Sequence, residues 1–590
     1  MKCEWVIAGQ APDDFFTALP ELHALTAQTL FARGHDSPDT ARAFLLGKLP
    51  KDDPLSIKDM DRAVERILRA VSQQERIAVY GDYDCDGVTA CALLMTTLNA
   101  LGAQAQVYIP DRFEEGYGLN ATALDTLKAQ GVALVITVDC GVRAHKEALH
   151  ARAIGLDLII TDHHELEGAE VPDALAVINP RRADCVYPFK SLAGVGIAFR
   201  LAQCLIRAQR PANLKEGELL DFVAIGTVAD LVPLTDNNRM LVKHGLQRIR
   251  ENPRLGIRAL LMAARVPLQQ VDAGKIGFGL APRLNAAGRL ESALEAYHLL
   301  MATDPAQADE IAQHLNLRNE ERQTLTTQMA REAEQAALAD GRGAASERPE
   351  AADGPALLFA ASESYNAGVI GLAAARLVEK FYRPAVVVSV SNGEARGSCR
   401  SVHGFHITEA LDACRDLLLK HGGHAAAAGF TTRIDNLETL RQRLQEIATQ
   451  QQPSAGWQRT LRIDAEQPLD RINWKALREL TQLEPHGMHH ARPSFVARKA
   501  MLTGAQRMGK VEANQAAPHL KLRLRDGNGQ SWDAVAWRMG ERLSELKIGQ
   551  PIDIAFHLEA ATWNGEERLQ LQVLDFRAET EDGGRKTTSS

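Results

Sequence analysis

Three acidic residues alternate in YGDYDCDGVTA, the stretch from Tyr80 to Ala90. They are Asp82, Asp84 and Asp86, and a glycine and a predicted helix follow them. Carboxylates this close repel one another unless positive charge lies among them. The stretch therefore predicts a cation site, with an ordinary solvated acidic turn as the alternative.

A calcium-binding EF-hand loop also opens with D-x-D-x-D-G, but it requires a bidentate glutamate at its twelfth position. Counted from Asp82, that position is Leu93. An EF-hand loop is also flanked by helices, whereas the preceding RIAVY has the composition of a buried strand. The pattern therefore favours a different kind of metal site.

Further acidic residues and histidines follow other apolar strands of the same region. LVITV precedes Asp139, LIIT precedes Asp162, His163 and His164, and the apolar FVAIGTVA precedes Asp230. In an open parallel sheet, sites gather at the carboxyl ends of the strands. Carboxylates mixed with imidazole suit Mn²⁺, Mg²⁺ or Zn²⁺, and this many candidate ligands indicates two ions. For His164, a packed or supporting position is an equally good interpretation.

The elements that must position these residues alternate between short apolar strands and helices from Arg76 onward. This order predicts an α/β fold with a parallel sheet that is covered on both faces. A second α/β pattern lies further along the chain, after a stretch rich in helix formers that predicts one long connecting helix. The last part has alternating strands and hairpin turns, which indicates a small barrel such as an OB-fold.

These changes of pattern divide the 590-residue chain into segments. We predict an N-terminal helical segment at 1–70, a catalytic α/β domain at 71–303, the connecting helix at 304–340, the second α/β domain at 355–452, the barrel at 458–578 and a disordered tail at 579–590.

The bulk composition narrows the class of protein. No apolar run has the length of a transmembrane helix, and the first residues lack the apolar region of a signal peptide. The eight cysteines are scattered without a C-x-x-C pair, which favours the reducing cytoplasm over a disulfide framework or a structural zinc site. Because the net charge is −8, any site for a polyanion must be a local basic surface.

Candidate phosphate-holding residues lie in four further stretches. Arg112 follows a strand end, where its guanidinium suits a phosphate or, alternatively, a salt bridge with Glu114 or Glu115. HGGHAAAAG predicts an anion site at a helix start, although a lone Gly-Gly is more often a turn. The remaining candidates are Arg283, Asn285 and Arg289 on a glycine-containing turn in PRLNAAGRL, Ser398 and Arg400 in GSCRS, and His424 in HGGHAAAAG.

The predicted barrel contains a strand, HLKLRLR, in which basic residues alternate with leucines. Lys521 and Arg523 therefore share one face of the strand with Arg525, and tryptophans follow in sequence at 532, 537 and 563. A basic groove with aromatic side chains is how an OB-fold binds a single strand of nucleic acid. A solvated strand face above core tryptophans is the alternative.

The order DYDCDG, VDCG, TDHHE and GTVADLVPL resembles the four motifs of the DHH phosphoesterase superfamily. GSCRS and GGHAAAAG resemble its DHH-associated second domain. Within the superfamily, the chain resembles most closely the bacterial exonucleases of single-stranded DNA, through IPDRFEEGYGLN, PRLNAAGRL, GVIGLAAARLVE and HLKLRL with WNGEERLQLQV. The resemblance covers residues 70–578, and it departs at SYNA before GVIG, where the family commonly has Trp-His.

The resemblance implies two Mn²⁺ or Mg²⁺ ions and a role for each candidate ligand. It implies that Asp84 and Asp86 each favour one ion, that Asp82 joins the first, that Asp139 and Asp230 bridge, that His163 completes the second, and that His164 lies close to the phosphate.

The activity that the resemblance implies is hydrolysis of single-stranded DNA from its 5′ end to 5′-mononucleotides, in recombination and repair. A RecQ-type helicase and a single-strand-binding protein are the expected partners, and we predict that the chain is a monomer. Two alternatives stay open. One is a DHH phosphodiesterase for short oligonucleotides or cyclic dinucleotides, and the other is a non-catalytic scaffold that binds single-stranded DNA.

Overall fold

The computed structural model describes residues 3–48, 52–111, 115–116, 118–166, 168, 170–290, 292–339, 354–509, 518–563 and 565–578. Arg112 and the predicted tail at 579–590 lie outside the described residues. The described residues form two compact units, one within Met1–Lys48, Arg459–His486 and His490–Ser590, and the other within Leu49–Gln458 and Gly487–His489. None of the described helices is long and apolar enough to cross a membrane.

The secondary-structure elements are numbered here in chain order. The strands are β1 (Glu4–Ile7), β2 (Arg76–Gly81), β3 (Gln104–Tyr108), β4 (Val132–Val138), β5 (Asp157–Thr161), β6 (Ala176–Ile178), β7 (Leu358–Ser362), β8 (Ala385–Ser391), β9 (Glu394–Arg400), β10 (Leu418–His424), β11 (Ala427–Arg433), β12 (Thr460–Ile463), β13 (Ala465–Glu466), β14 (Phe495–Met508), β15 (His519–Arg525), β16 (Ser531–Ala536), β17 (Pro551–Trp563) and β18 (Glu566–Ala578).

The α-helices are α1 (Asp13–Thr17), α2 (Ala24–Ala32), α3 (Pro38–Leu46), α4 (Met60–Ser72), α5 (Cys85–Ala100), α6 (Ala121–Ala129), α7 (His145–Ala153), α8 (Gly194–Gln209), α9 (Leu220–Ala229), α10 (Asp236–Glu251), α11 (Leu255–Ala263), α12 (Ala273–Lys275), α13 (Ala281–Leu290), α14 (Leu294–Met301), α15 (Pro305–Ala339), α16 (Ile370–Phe381), α17 (Ile407–Asp412), α18 (Leu437–Gln451) and α19 (Trp474–Leu480).

The first sheet is parallel, with the strand order β3-β2-β4-β5-β6. Helices α5 and α8 pack on one face, whereas α6 and α7 pack on the other. Burial on both faces explains the nearly continuous apolar strands, and the predicted α/β class is confirmed. Strand β6, which is only three residues long, was not among the predicted strands.

The second sheet has the order β10-β11-β9-β8-β7, and only β7 and β8 are parallel. The sequence predicts one helix through HITEALDACRDLLLKHG and a helix-like run of alanines, and both predictions are wrong. Helix α17 ends at Asp412, and the following leucines and alanines form the antiparallel pair β10 and β11. Pairing with β9 overrides the helix propensity of the alanines.

Helix α15 is the predicted long connection between the two sheets, and it is a packed element. Its first half packs against α11, α13 and α14, and its second half packs against α16 and β7. Met329, Ala333 and Ala337 belong to one apolar cluster with Ala373 and Leu377 of α16. The helix therefore fixes the second sheet relative to the helices beside the first.

The other unit joins the two ends of the chain. Strand β1 pairs in parallel with β12, and Phe15 and Leu25 share an apolar core with Leu477 and Phe495. Strands β14, β15, β16, β18 and β17 form a closed barrel, as predicted. The predicted segment 1–70 is therefore divided, because its last helix, α4, packs against α8 and β6 of the first sheet's domain instead.

Candidate metal centre

The acidic loop DYDCDG connects β2 to α5 at the carboxyl edge of the first sheet. Asp84 is the N-cap of α5, where its side chain accepts hydrogen bonds from the backbone N–H groups of Asp86 and Gly87 at 2.9 and 3.1 Å. These bonds fix the loop so that Asp82 and Asp86, which are 5% and 1% exposed, point into the protein.

The carboxylate of Asp86 is held by the N-terminus of α8. The backbone N–H groups of Gly194 and Val195 donate to its two oxygens at 2.6 and 2.9 Å. A Cβ atom on Gly194 would lie 2.5 Å from Asp139 Oδ1, and one on Gly226 would lie 2.7 Å from Asp86 Oδ1. Only glycine at these two positions leaves room for the carboxylates.

Residues from two further strands and a helix end converge on this loop. Asp139 follows β4 in a left-handed conformation (φ 63°), His163 follows β5 after one residue, and Asp230 directly follows α9. Nε2 of His163 lies 3.2 Å from Asp139 Oδ1 and 3.5 Å from Asp230 Oδ2. The predicted meeting of strand ends therefore occurs, and α9 adds a carboxylate from outside the sheet.

His164 is oriented by the buried carboxylate of Asp162. Asp162 Oδ1 lies 2.7 Å from His164 Nδ1 and accepts the backbone N–H of His164 at 3.0 Å, while its Oδ2 accepts the N–H of Val142 at 2.8 Å. Asn179 donates to the carbonyl oxygen of His164 at 2.9 Å. Asp162 therefore positions an imidazole, and its oxygens are occupied by hydrogen bonds.

Several buried carboxyl groups lie close together in this cluster, and burial and mutual repulsion both disfavour their charged forms. Burial, with repulsion from Asp84, raises the pKa of Asp86 to about 7. Burial, with the charges of Asp86 and Asp84, raises the pKa of Asp230 to about 9, and similar causes raise that of Asp139 well above its usual range. Burial, followed by the charge of His164, lowers the pKa of His163 to about 3. A neutral imidazole is the form that binds a metal.

The donor set fits divalent metal ions. Ligand atoms come within 4.8 Å of one another in three groups, which are Asp82, Asp84 and Asp139; Asp86, His163 and Asp230; and Asp139, His163 and His164. Oδ1 of Asp139 and Oδ2 of Asp230 are buried and accept no hydrogen bond from any described residue. Buried oxygens without partners are costly, and cations among them would remove that cost.

Three regions of the chain match known domain families. Residues 76–227 match the DHH family, N-terminal domain, residues 354–450 match the DHHA1 domain, and residues 463–575 match the RecJ OB domain. The chain is 39% identical over 579 residues to the single-stranded-DNA-specific exonuclease RecJ of Bacillus subtilis, which covers 97% of this chain and 71% of that protein. The chain belongs to the RecJ family.

Other members support the RecJ assignment over the whole length of the chain. RecJ of Salmonella typhimurium is 34% identical over 594 residues, covering 98% of this chain and 99% of that protein. The crystal structure of RecJ in complex with Mn²⁺ from Thermus thermophilus has a TM-score of 0.81 at 30% identity, covering 99% of this chain and 81% of that one. A second crystal structure of the Thermus RecJ is in complex with Mg²⁺.

The motif PRLNAAGRL of this RecJ-family chain is helical, so the predicted turn is wrong. It forms α13, and a Cβ on Gly288 would lie only 2.6 Å from the carbonyl oxygen of Tyr83 in the acidic loop. Asn285 Oδ1 accepts the backbone N–H of Cys85 at 2.7 Å. Asn285 therefore holds the acidic loop in place. Arg283 lies near the start of the same helix, and the side chain of Arg289 is outside the described part.

The second domain of the RecJ fold places Ser398 and Arg400 together on β9. Arg400 Nη1 donates to Ser398 Oγ at 3.2 Å. Both lie beside the start of α16, where a Cβ on Gly371 would be 2.9 Å from Ser398 Oγ and 3.1 Å from Arg400 Nη2. His424 is exposed on β10 and belongs to a strand, so the predicted anion site at a helix start is wrong there.

The barrel of this RecJ-family chain shows the predicted alternation. Leu520, Leu522 and Leu524 are fully buried, while Lys521 is half-buried and Arg523 is exposed. Among the tryptophans, Trp532 is in the core, with its Nε1 donating to Asp526. Trp537 is 47% exposed beside His519, and the side chain of Trp563 is outside the described part.

Sequence reasoning missed two groups that build the centre, namely the amides of Gly194 and Val195 and the orienting carboxylate of Asp162. The small residues of LAGVG directly before an apolar helical run were the available signal for the amides, since small residues let backbone N–H groups approach an anion. The orienting role of Asp162 was harder to recognise, because its position at a strand end is the same as that of the predicted metal ligands.

Proposed function

We propose that this protein is a metal-dependent exonuclease that hydrolyses single-stranded DNA from the 5′ end to 5′-mononucleotides. The observation that carries the proposal is the convergence of Asp86, Asp139, His163 and Asp230 from different elements, with buried oxygens that lack hydrogen-bond partners among the described residues. The relatives named RecJ support the choice of substrate.

The residues would divide the work of binding two Mn²⁺ or Mg²⁺ ions. Asp139 is grouped with Asp82 and Asp84 on one side and with His163 on the other, so it would bridge. Asp230 lies with Asp86 and His163, and its bridging role is the one that the family resemblance implies. A bound pair of ions supplies an activated water and stabilises charge on the phosphodiester. His164, held by Asp162, would hydrogen-bond the substrate phosphate.

Arg400 is the residue that we assign to the terminal phosphate. Its side chain is half-buried beside the N-terminus of α16, and burial lowers the pKa of its guanidinium. Within the described residues its side chain donates only to Ser398 Oγ and the carbonyl oxygen of Cys399. A helix N-terminus and an unneutralised arginine together favour a phosphate, and Arg112 would complete this grip.

The partners belong to the proposal as well. A RecQ-type helicase would supply single strands by separating a duplex, and a single-strand-binding protein would cover them. The basic face of β15 would contact the phosphates of a long strand through half-buried Lys521 and exposed Arg523, and the phosphates would compete with Asp533, which lies 3.7 Å from Arg523 Nε. We propose that the chain acts as a monomer in the cytoplasm.

The test is digestion of single strands labelled at either end, with Mn²⁺, with Mg²⁺ and with a chelator. We expect mononucleotides to appear first from the 5′ label, no reaction with the chelator, and little attack on a blunt duplex. Release of the 3′ label first would contradict the polarity. Cleavage confined to dinucleotides would favour the oligonucleotide phosphodiesterase, and binding without cleavage would favour the scaffold.

A further inference from the structure

A row of three arginines follows the connecting helix α15 between the two sheets. Arg283 comes from α13, Arg322 from α15 itself and Arg376 from α16. Each donates to a neutral acceptor on α15: Arg283 Nε to Asn316 Oδ1 at 2.9 Å, Arg322 Nη2 to Asn319 Oδ1 at 2.8 Å, and Arg376 Nη1 to Thr327 Oγ1 at 2.7 Å.

The positive charge of this row is not neutralised by the described residues. None of the three guanidinium groups forms a salt bridge within the part of the chain that the structure describes. The charge of Glu320 partly offsets the lowering of the pKa of Arg283. Its carboxylate accepts a hydrogen bond from Asn316 and forms no salt bridge with Arg283 among the described residues. Two other basic residues of these helices do form salt bridges, Lys380 with Glu334 at 2.5 Å and Arg318 with Glu321 at 3.0 Å.

Desolvation makes the arrangement costly. Burial lowers the pKa of Arg322, and the neighbouring charges of Arg376 and Arg283 lower it further. Burial also lowers the pKa of Arg283. Arg376 is exposed, so the cost of desolvation falls on Arg283 and Arg322. Partly desolvated like charges without counterions destabilise a fold and therefore indicate a site for an anion.

The position of the row suggests which anion. Arg283 lies on α13, the helix whose Asn285 contacts the acidic loop. Arg376 lies on α16, the helix that begins beside Arg400. Asn316 and Thr327 are separated by about 16 Å along α15, which is longer than a single phosphate group. The acceptors hold the arginines in place without cancelling their charge.

We propose that Arg322 and Arg376 extend the substrate site along α15, where together with Arg283 they bind consecutive phosphates of a single nucleic-acid strand. This inference rests on the proposed function. It makes the connecting helix part of the binding surface, and it gives a role to Arg322 and to Arg376, a residue of the motif GVIGLAAARLVE to which the sequence assigned none.

The test measures binding of a long oligothymidine to the full chain by fluorescence anisotropy over a range of salt concentrations. The hydrolysis-deficient D139N chain serves as parent so that the strand stays intact. We expect Arg322→Gln and Arg376→Gln each to weaken binding at low salt and to reduce the slope of log affinity against log salt by about 0.7. Lys380→Gln, which removes an already neutralised charge from α16, is the matched control and should retain the parental slope.

Two further variants separate charge from packing. Arg322→Lys and Arg376→Lys keep the charge and should keep the slope, and Arg376→Gln, at an exposed position, should leave the melting temperature unchanged. Parental affinity and slope in both glutamine variants would overturn the inference. A parent chain that does not bind single-stranded DNA at all would instead overturn the proposed function.

Discussion

His163 and Asp139 follow neighbouring parallel strands, and Nε2 of the one lies 3.2 Å from Oδ1 of the other. The imidazole stays neutral because burial lowers its pKa, so this contact is not a strong ion pair. Asp230 Oδ2 lies 3.5 Å from the same nitrogen. Two carboxylates around one neutral imidazole favour a cation site over a self-contained hydrogen-bond network.

The first prediction concerns the bridging role of Asp139. Asp139→Asn keeps the size of the side chain but removes a charge from the shared ligand, so hydrolysis should fall by at least about 100-fold, the upper range for losing a supporting partner of a metal site. Binding of single-stranded DNA should persist. Initial rates at saturating Mn²⁺ measure the loss, and Asp125→Asn, an exposed carboxylate on α6, is the control. Substantial activity in D139N would exclude the shared bridge.

The second prediction is a pH dependence of stabilisation by metal. An aspartate has a pKa of about 3.9 in an unfolded chain. In the folded protein without metal, burial first, then neighbouring carboxylates, raise the pKa of Asp86 to about 7 and that of Asp230 to about 9. The metal-free fold thus binds more protons than the unfolded chain above the unfolded value, and its stability falls as the pH rises through this range.

Metal binding displaces these protons, so the gain in melting temperature on adding Mn²⁺ should increase as the pH is raised from weakly acidic to weakly basic. Calorimetry with and without Mn²⁺ at several pH values measures this gain. The D139N chain should show a much smaller gain at every pH. A gain that is constant or that decreases with rising pH would contradict the electrostatic description of the centre.

Most of the metal centre could be predicted from the sequence, because a parallel sheet brings strand ends together whatever the details of packing. Asp139 and His163 illustrate this, since each follows an apolar run that only a buried strand explains. The orientation of Asp86 could not be predicted, because it depends on amides of α8, a helix that begins more than a hundred residues later.

The errors have a common physical cause, which is pairing between distant segments. The alanines of β11 favour a helix locally, but hydrogen bonds to β9 and β10 make them a strand. Strand β1 is paired with β12 from the other end of the chain, and no local pattern reports such a partner. The helical form of PRLNAAGRL was missed because its glycine suggested a turn, whereas Gly288 is required for contact with Tyr83.

The third prediction concerns the grip on the 5′ end. If Arg400 binds the terminal phosphate, Arg400→Gln should lower turnover and reduce the preference for a phosphorylated over a hydroxyl 5′ end. Arg396→Gln removes the same charge from an exposed position on the same strand and is the matched control. Competition between the two kinds of 5′ end measures the preference. An unchanged preference in R400Q, with R396Q also unchanged, would remove Arg400 from the site.

The last prediction separates the exonuclease from a phosphodiesterase for small substrates. A dinucleotide requires only the metal centre, whereas a long strand would also contact the basic face of β15. Lys521→Gln combined with Arg523→Gln should therefore weaken binding of a long strand and reduce the salt slope by about 1.4, at about 0.7 per phosphate contact. Cleavage of a dinucleotide should be unchanged.

Point substitutions are better suited than a deletion for testing whether the barrel binds DNA. Deleting everything from 458 onward would expose the apolar side chains of Phe15 and Leu25, because residues 3–48 share the core of the barrel. Point substitutions avoid this problem, and Arg568→Gln, which removes an exposed arginine paired with Glu566, is the control for loss of surface charge. If the double variant binds long strands with the parental affinity and salt slope, β15 is an ordinary solvated strand, and the small-substrate phosphodiesterase becomes the better description of this chain.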